Sequence, residues 1–147
     1  MATTKGLAAR NVTISYGDGA APNENFTAFA QITSMGLLSM TRETQDVTSL
    51  DSPEGFREFC GTLADAGELT FDVFFLPNEV THNNLTEGVI AQFRDADNRS
   101  YRVNFNNANN NRWDMEGVMT GLSITGQINE VLTGSVTIKI SGLPVFV

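Results

Sequence analysis

The sequence predicts a mainly β protein, a β-sandwich or barrel with one packed α-helix at about residues 53–65 and a long extended loop at about residues 34–50. Three observations carry this expectation. Apolar and polar residues alternate at period two in most of the patterned segments. One segment alone combines a helix-start signal with an apolar stripe at helical spacing. No repeat, heptad run or long linker divides the 147 residues, so the reading is a single domain over 1–147, with an N-terminal arm at 1–10 and a C-terminal tail at 143–147.

The first expected strand, Asn11 to Tyr16, places Val12, Ile14 and Tyr16 on one face, and Gly17-Asp18-Gly19 to Pro22 breaks the run. Phe26, Ala28, Ala30 and Ile32 alternate with Thr27, Gln31 and Thr33, which reads as one second strand. From Glu68 to Phe75, Leu69, Phe71, Val73 and Phe75 face one way while Glu68, Thr70 and Asp72 face the other, and Pro77-Asn78 ends the run. Further strands are expected at Ser100 to Phe105, Arg112 to Gly126 and Gly134 to Ser141. The apolar phase slips near Gly117, which points to a bulge or bend there. Asn104 to Asn111, six of eight residues asparagine, reads as a turn because asparagine tolerates left-handed backbone.

The expected helix rests on Ser52 as N-cap, Pro53 at the first helical position and Glu54 at the positive helix end. Phe56, Phe59, Cys60 and Leu63 then fall at i, i+3, i+4 and i+7, and Gly67 is a C-cap glycine. A weaker helical turn is expected at Asn83 to Ala91. Ser34 to Leu50 is a long loop or extended hairpin with Met35, Leu37, Leu38 and Met40 beside Arg42, Glu43 and Asp46, a composition suited to association.

Composition narrows the function. Nine Lys+Arg against 17 Asp+Glu give −8, which argues against a surface that grips nucleic acid. The N-terminus has no apolar signal core and no run approaches membrane-spanning length, so residence in the cytoplasm is expected. The sequons at Asn11, Asn25, Asn84 and Asn98 then carry no weight. Cys60, the single cysteine, lies on the expected apolar helix stripe and reads as a small core residue. His82, the single histidine, sits among Thr81, Asn83 and Asn84 and reads as a solvated loop residue. No nucleophile elbow, Walker sequence, dinucleotide fingerprint or zinc spacing occurs. Asp95-Ala96-Asp97-Asn98 lacks the glycine and closing glutamate of a calcium loop and reads as a turn. Glu68 with Asp72, and Asp114 with Glu116, share strand faces, as solvated faces routinely do. No catalytic residue, cofactor or metal is expected.

One stretch is more particular. Val47-Thr48-Ser49-Leu50-Asp51-Ser52, followed by the amphipathic segment and Ala66-Gly67-Glu68-Leu69-Thr70-Phe71, and then Asn78-Glu79 to His82 and Leu85, resembles the major tail tube proteins of long non-contractile-tailed bacteriophages. In element order the resemblance spans about residues 10 to 142. It implies a structural subunit, not an enzyme, forming hexameric rings that stack into a hollow conduit for genome passage. It implies a place in the virion tail after assembly in the host cytoplasm. The implied partners are further copies of the chain, a tape-measure protein in the lumen, terminator and distal tail or baseplate proteins at the ends, and DNA that passes without specific binding. The chain resembles members without an appended immunoglobulin-like domain.

On that resemblance Ser34 to Leu50 matches an inter-ring loop, making Met35, Leu37, Leu38, Met40, Arg42, Glu43 and Asp46 contact candidates. The N-terminal arm and the apolar tail Leu143 to Val147 are further candidates, although the tail has its own core as an alternative dock. An acidic lumen would repel phosphate. Strand alternation nominates Glu68, Asp72, Asp114 and Glu116 for it, with outward solvent as the competing placement. A type VI secretion-like tube protein or another virion structural protein is the alternative. An acidic hydrolase on Glu68 and Asp72 would need a pocket and raised carboxylate pKa values.

Overall fold

A computed structural model describes residues 6–19, 23–84 and 88–147. After a 3-10 turn at Ala9–Asn11 come β1 (Thr13–Gly17), β2 (Phe26–Ala28), β3 (Ile32–Gly36) and β4 (Thr41–Asp46). A second 3-10 turn at Pro53–Gly55 precedes β5 (Phe59–Asp65), β6 (Glu68–Phe74), α1 (Gly88–Arg94), β7 (Arg99–Asn104), β8 (Arg112–Thr125) and β9 (Thr133–Phe146). Seven strands form one antiparallel sheet in the order β2-β1-β7-β8-β9-β6-β3, while β4 and β5 form a separate hairpin. The mainly β expectation holds, with one α-helix among the described residues.

The two edge strands of the large sheet, β2 and β3, are separated by only Phe29 to Gln31, so the sheet must roll for one chain to reach both edges. The Phe29 N–H donates to the Ile14 carbonyl, and the Phe74 N–H donates to the Gln31 carbonyl. The Phe29 ring lies 5.0 Å from Tyr16 on β1 and 4.8 Å from Phe71 on β6. Gln31 turns the corner at φ 59, so the single strand expected from Phe26 to Thr33 is two strands around a bend.

The inward face includes the alternating residues of β1 and β6 that periodicity identified, joined by residues of the other expected strands. Ile14, Tyr16, Leu69, Phe71, Val73, Tyr101, Val103, Met115, Met119, Val136, Ile138 and Ile140 are all buried. Each large side chain contributes roughly 1.5–3 kcal/mol of transfer free energy. α1 covers part of this core with Val89 and Ile90. It overlaps the weaker helical turn expected at 83–91, of which residues 85–87, like Leu85 of the family pattern, lie outside the described residues. Residues 1–5 of the expected N-terminal arm and Ala20 to Pro22 also lie outside them.

The principal correction concerns residues 53–65, which are not a helix. Glu54 (φ 53) and Gly55 (φ 75) take left-handed backbone and stop the 3-10 turn, and Phe56 is extended. The Ser52 hydroxyl caps nothing and donates instead to Glu58 at 2.7 Å. The chain then runs into strand β5, exposed throughout, so Cys60 is an exposed residue and not a core one. The segment 34–50, expected as a long loop or extended hairpin, is an extended hairpin limb comprising the end of β3 and all of β4.

Register slips on both sides of Gly117: between Asp114 and Glu116, where β9 carries the extra residues, and between Met119 and Gly121, where β8 carries one extra residue. Gly117 stays in register, facing inward where a Cβ would meet the Lys139 carbonyl oxygen at 2.5 Å. The tail Leu143 to Val147 docks on its own chain: Phe146 pairs with Trp113 and stacks on its indole edge, and Val147 exchanges backbone hydrogen bonds with Arg112. The asparagine run makes the β7–β8 turn, with Asn106 and Asn110 at positive φ.

Candidate assembly surfaces

Most of the apolar surface that the barrel does not consume sits on its projections. The first is the β4–β5 arm. The chain leaves β3, passes Leu38 and Ser39 into β4, returns along β5 and enters β6, so the arm continues the β3–β6 ladder beyond the barrel. Every residue of β4 and β5 is exposed. Leu63 is 89% exposed and Leu50 at the arm tip is 105% exposed, with Met40, Val47, Phe56 and Phe59 also open. Local hydrogen bonds keep the arm ordered: the Arg42 guanidinium donates to the Thr62 carbonyl at 2.9 Å, and the Thr62 hydroxyl donates to the Glu43 carbonyl at 2.9 Å.

The arm base is pinned to β9. Lys139 Nζ donates to both carboxylate oxygens of Asp65, at 2.9 and 3.0 Å, and the Ile140 N–H donates to the Gly67 carbonyl. The Gly67 N–H, donating to Asp65 at 2.8 Å, and then the Lys139 ammonium hold the Asp65 carboxyl below the usual range. Gly67 has φ +83, and a Cβ there would run into the Ser39 carbonyl.

The contact candidates therefore divide. Met35, Leu37 and Leu38 are partly buried against the chain's own core. Met40, Arg42, Glu43 and Asp46 lie on the arm. Periodicity did not single out the β5 residues Phe59 and Leu63 as contacts, because their spacing imitates a helix stripe.

The second surface is the solvent face of the rolled sheet. Glu68 and Asp72 on β6, and Asp114 and Glu116 on β8, all lie on this face, opposite the core. They are not equivalent. Asp114 accepts from Arg102 at 2.6 Å and from Arg112 at 3.3 Å, and Arg102 also lies 3.8 Å over the Phe26 ring. Asp72 accepts from the Ser34 hydroxyl at 2.8 Å. Glu68 and Glu116 are exposed and have no ion pair among the described residues.

A third surface closes β8 onto β9. Ile124, Ile128, Val131 and Leu132 are exposed there, Ile128 at 102%, near exposed Phe74 and Leu76. No strand or helix pattern pointed to them. The available signal was simply apolar residues in a turn that should be polar.

Buried His82 is a correction of another kind. Its Nδ1 accepts the Leu76 N–H at 3.0 Å, so Nε2 carries the proton and donates to the Ala30 carbonyl at 2.8 Å. The ring stacks on Phe75 at 5.8 Å. It is a structural clamp between the loop after β6 and the Phe29–Gln31 corner.

A small rolled sheet with apolar residues concentrated on an arm and a turn is the anatomy of an associating subunit. Comparison with known proteins makes the class definite. A model of the lambda phage tail tube protein family matches residues 12–147, and the chain belongs to that family. It is a structural subunit of a tail tube, a component of the virion tail. No curated protein matches the chain. Among solved structures, it is similar to a chain in the tail of an empty gene transfer agent particle refined with C6 symmetry: TM-score 0.75, 19% identity, 97% of this chain and 99% of that one covered. It is similar to the SPP1 tail tube: TM-score 0.70, 7% identity, 96% and 78% covered. It is also similar to a chain of the anti-feeding prophage baseplate: TM-score 0.67, 13% identity, 99% and 97% covered. At these identities the likeness is one of fold. No helix among the described residues is long and apolar enough to cross a membrane.

Proposed function

We propose that this subunit closes into hexameric rings that stack into a hollow conduit, with no catalytic step of its own. The observation that supports the stacking most directly is the β4–β5 arm, which carries six exposed large apolar residues (Met40, Val47, Leu50, Phe56, Phe59 and Leu63) on a hairpin held to the rest of its chain at its base, by Asp65 and Lys139. A surface of this kind is matched by a partner in the assembled state. Repeated copies supply that partner through head-to-tail contacts, which generate closed rings and open stacks. In this reading the whole of residues 1–147 acts as one tube domain.

The solvent face bearing Glu68, Asp72 and Glu116 lines the lumen, where its charge keeps DNA and a tape-measure protein from sticking. A terminator and distal tail proteins cap the two ends. The type VI-like alternative has fold likeness beneath it, whereas the family match covers residues 12–147.

The test is assembly. Purified protein at rising concentration should form hollow rods visible by negative-stain microscopy. Leu63→Asp should keep the circular dichroism of the parent and form no rods. A parent that stays monomeric, or a Leu63→Asp protein that assembles equally well, would remove the arm from this role.

A further inference from the structure

We infer that the turn between β8 and β9 is the landing site of the arm: apolar residues of one copy's arm seat on Ile124, Ile128, Val131 and Leu132 of a copy in the next ring. The inference rests on the stacked-ring reading and extends it by naming the surface that receives the arm.

Strand register places the two features apart. β6 begins with Glu68 beside Lys139 and ends with Phe74 beside Thr133. The arm joins the barrel at the first end, where Asp65 and Gly67 bind Lys139 and Ile140. The β8–β9 turn closes the second end, between Thr125 and Thr133. Six residues of strand separate Lys139 from Thr133, about 20 Å at the usual rise. Arm and turn therefore project from opposite ends of the same ladder.

A stack built by one repeated operation brings one end of each subunit against the other end of the next. Its interface must join two different, complementary patches. The arm end of one ring thus meets the turn end of its neighbour, not another arm. Both patches are apolar and open, and none of the described residues covers either. Ile128 and Val131 stand on a turn where folding requires no apolar residue.

Charge fits the same pairing. Residues 40–66 carry Glu43, Asp46, Asp51, Glu54, Glu58 and Asp65 against Arg42 and Arg57. An arm this acidic is opposed least where carboxylates are few. From Thr125 to Gly134 the only charged residue is Glu130. Another open apolar patch, Leu143 with Val145, lies beside Asp114 and Glu116 at the arm's own end of β9, out of reach of an arm arriving from the next ring.

Cys60, the only cysteine and exposed on β5, provides the test. Rods of Ile128→Cys and of Val131→Cys, treated with a short bismaleimide, should yield a ladder of covalent multimers on a denaturing gel, because each copy links to the next. The same proteins diluted to monomer should give none, and rods of Leu143→Cys should give at most a trace. A ladder from Leu143→Cys without one from the turn variants would overturn the landing site. Should both turn substitutions block assembly, a cryo-EM map of parent rods decides directly: an arm seated anywhere but on the β8–β9 turn sinks the inference while leaving stacked rings intact. Parent protein that forms no rods overturns the stacked-ring reading, and the landing site with it.

Discussion

His82 shows how little its immediate neighbours say about a residue. Thr81, Asn83 and Asn84 surround it in sequence, yet it is fully buried and spans two backbone groups that have no ladder partner. His82→Ala would leave the Leu76 N–H and the Ala30 carbonyl unsatisfied, at about 1–3 kcal/mol each, and would open a cavity beside Phe75. Urea unfolding of the monomer should show a loss of about 2–4 kcal/mol, near the range for large-to-small core changes. An unchanged midpoint would deny the clamp its role. Tyr101 lies in a strand expected from the sequence, and it makes a pH prediction. Burial pushes its hydroxyl up to about 12, and the same group donates to Gln92 at 3.0 Å. The folded state thus favours the neutral phenol. That contribution is complete below the ordinary tyrosine range and is lost as pH rises from about 10 toward 12. Unfolding monitored by far-ultraviolet circular dichroism should show stability falling over that interval, and Tyr101→Phe should flatten the fall.

At the scale of elements, the barrel strands were readable because each has a buried face, and burial writes period two into sequence. β4 and β5 have no buried face in the subunit, so their apolar residues follow no rule set by this chain's own core. Phe56, Phe59, Cys60 and Leu63 matched helical spacing for that reason, and the Ser52-Pro53-Glu54 start signal produced only one 3-10 turn. The short helix α1 was partly legible as a turn at 83–91. The corner at Gln31 was not, since a non-glycine residue at positive φ leaves no compositional mark. Gly67 decides how the arm meets the barrel. Gly67→Ala combines an unfavourable φ with a clash against Ser39, and strain of this kind costs about 1–3 kcal/mol. The variant should melt lower than the parent by several degrees, and its arm should be cleaved faster by a protease at limiting dose. Equal melting and cleavage would mean that the junction adapts without cost.

For the whole molecule, period two placed Glu68 with Asp72, and Asp114 with Glu116, on common strand faces. Only cross-strand register shows that all four share one side of a single sheet, and that Arg102 and Arg112 largely neutralise Asp114. Glu68 and Glu116 are thus the stronger lumen candidates. The Glu68→Lys, Glu116→Lys double variant should still form rods, because neither residue supports the core. Those rods should retain short duplex DNA at low salt and release it as salt rises, whereas parent rods should retain none. Rods of the variant that ignore DNA would place this face away from the lumen.

The arm's attachment has a mechanical consequence. Its strands continue β3 and β6, and β6 is bonded along its full length to β9. A pull on the arm tip therefore loads those hydrogen bonds lengthwise, in shear, where many must slip together, instead of peeling them apart one by one. Under bending, such a stack would yield at the narrow joint by Ser39 and Gly67 while each barrel kept its shape. Its flexibility would then be that of a chain of stiff links, curving by small rotations between rings.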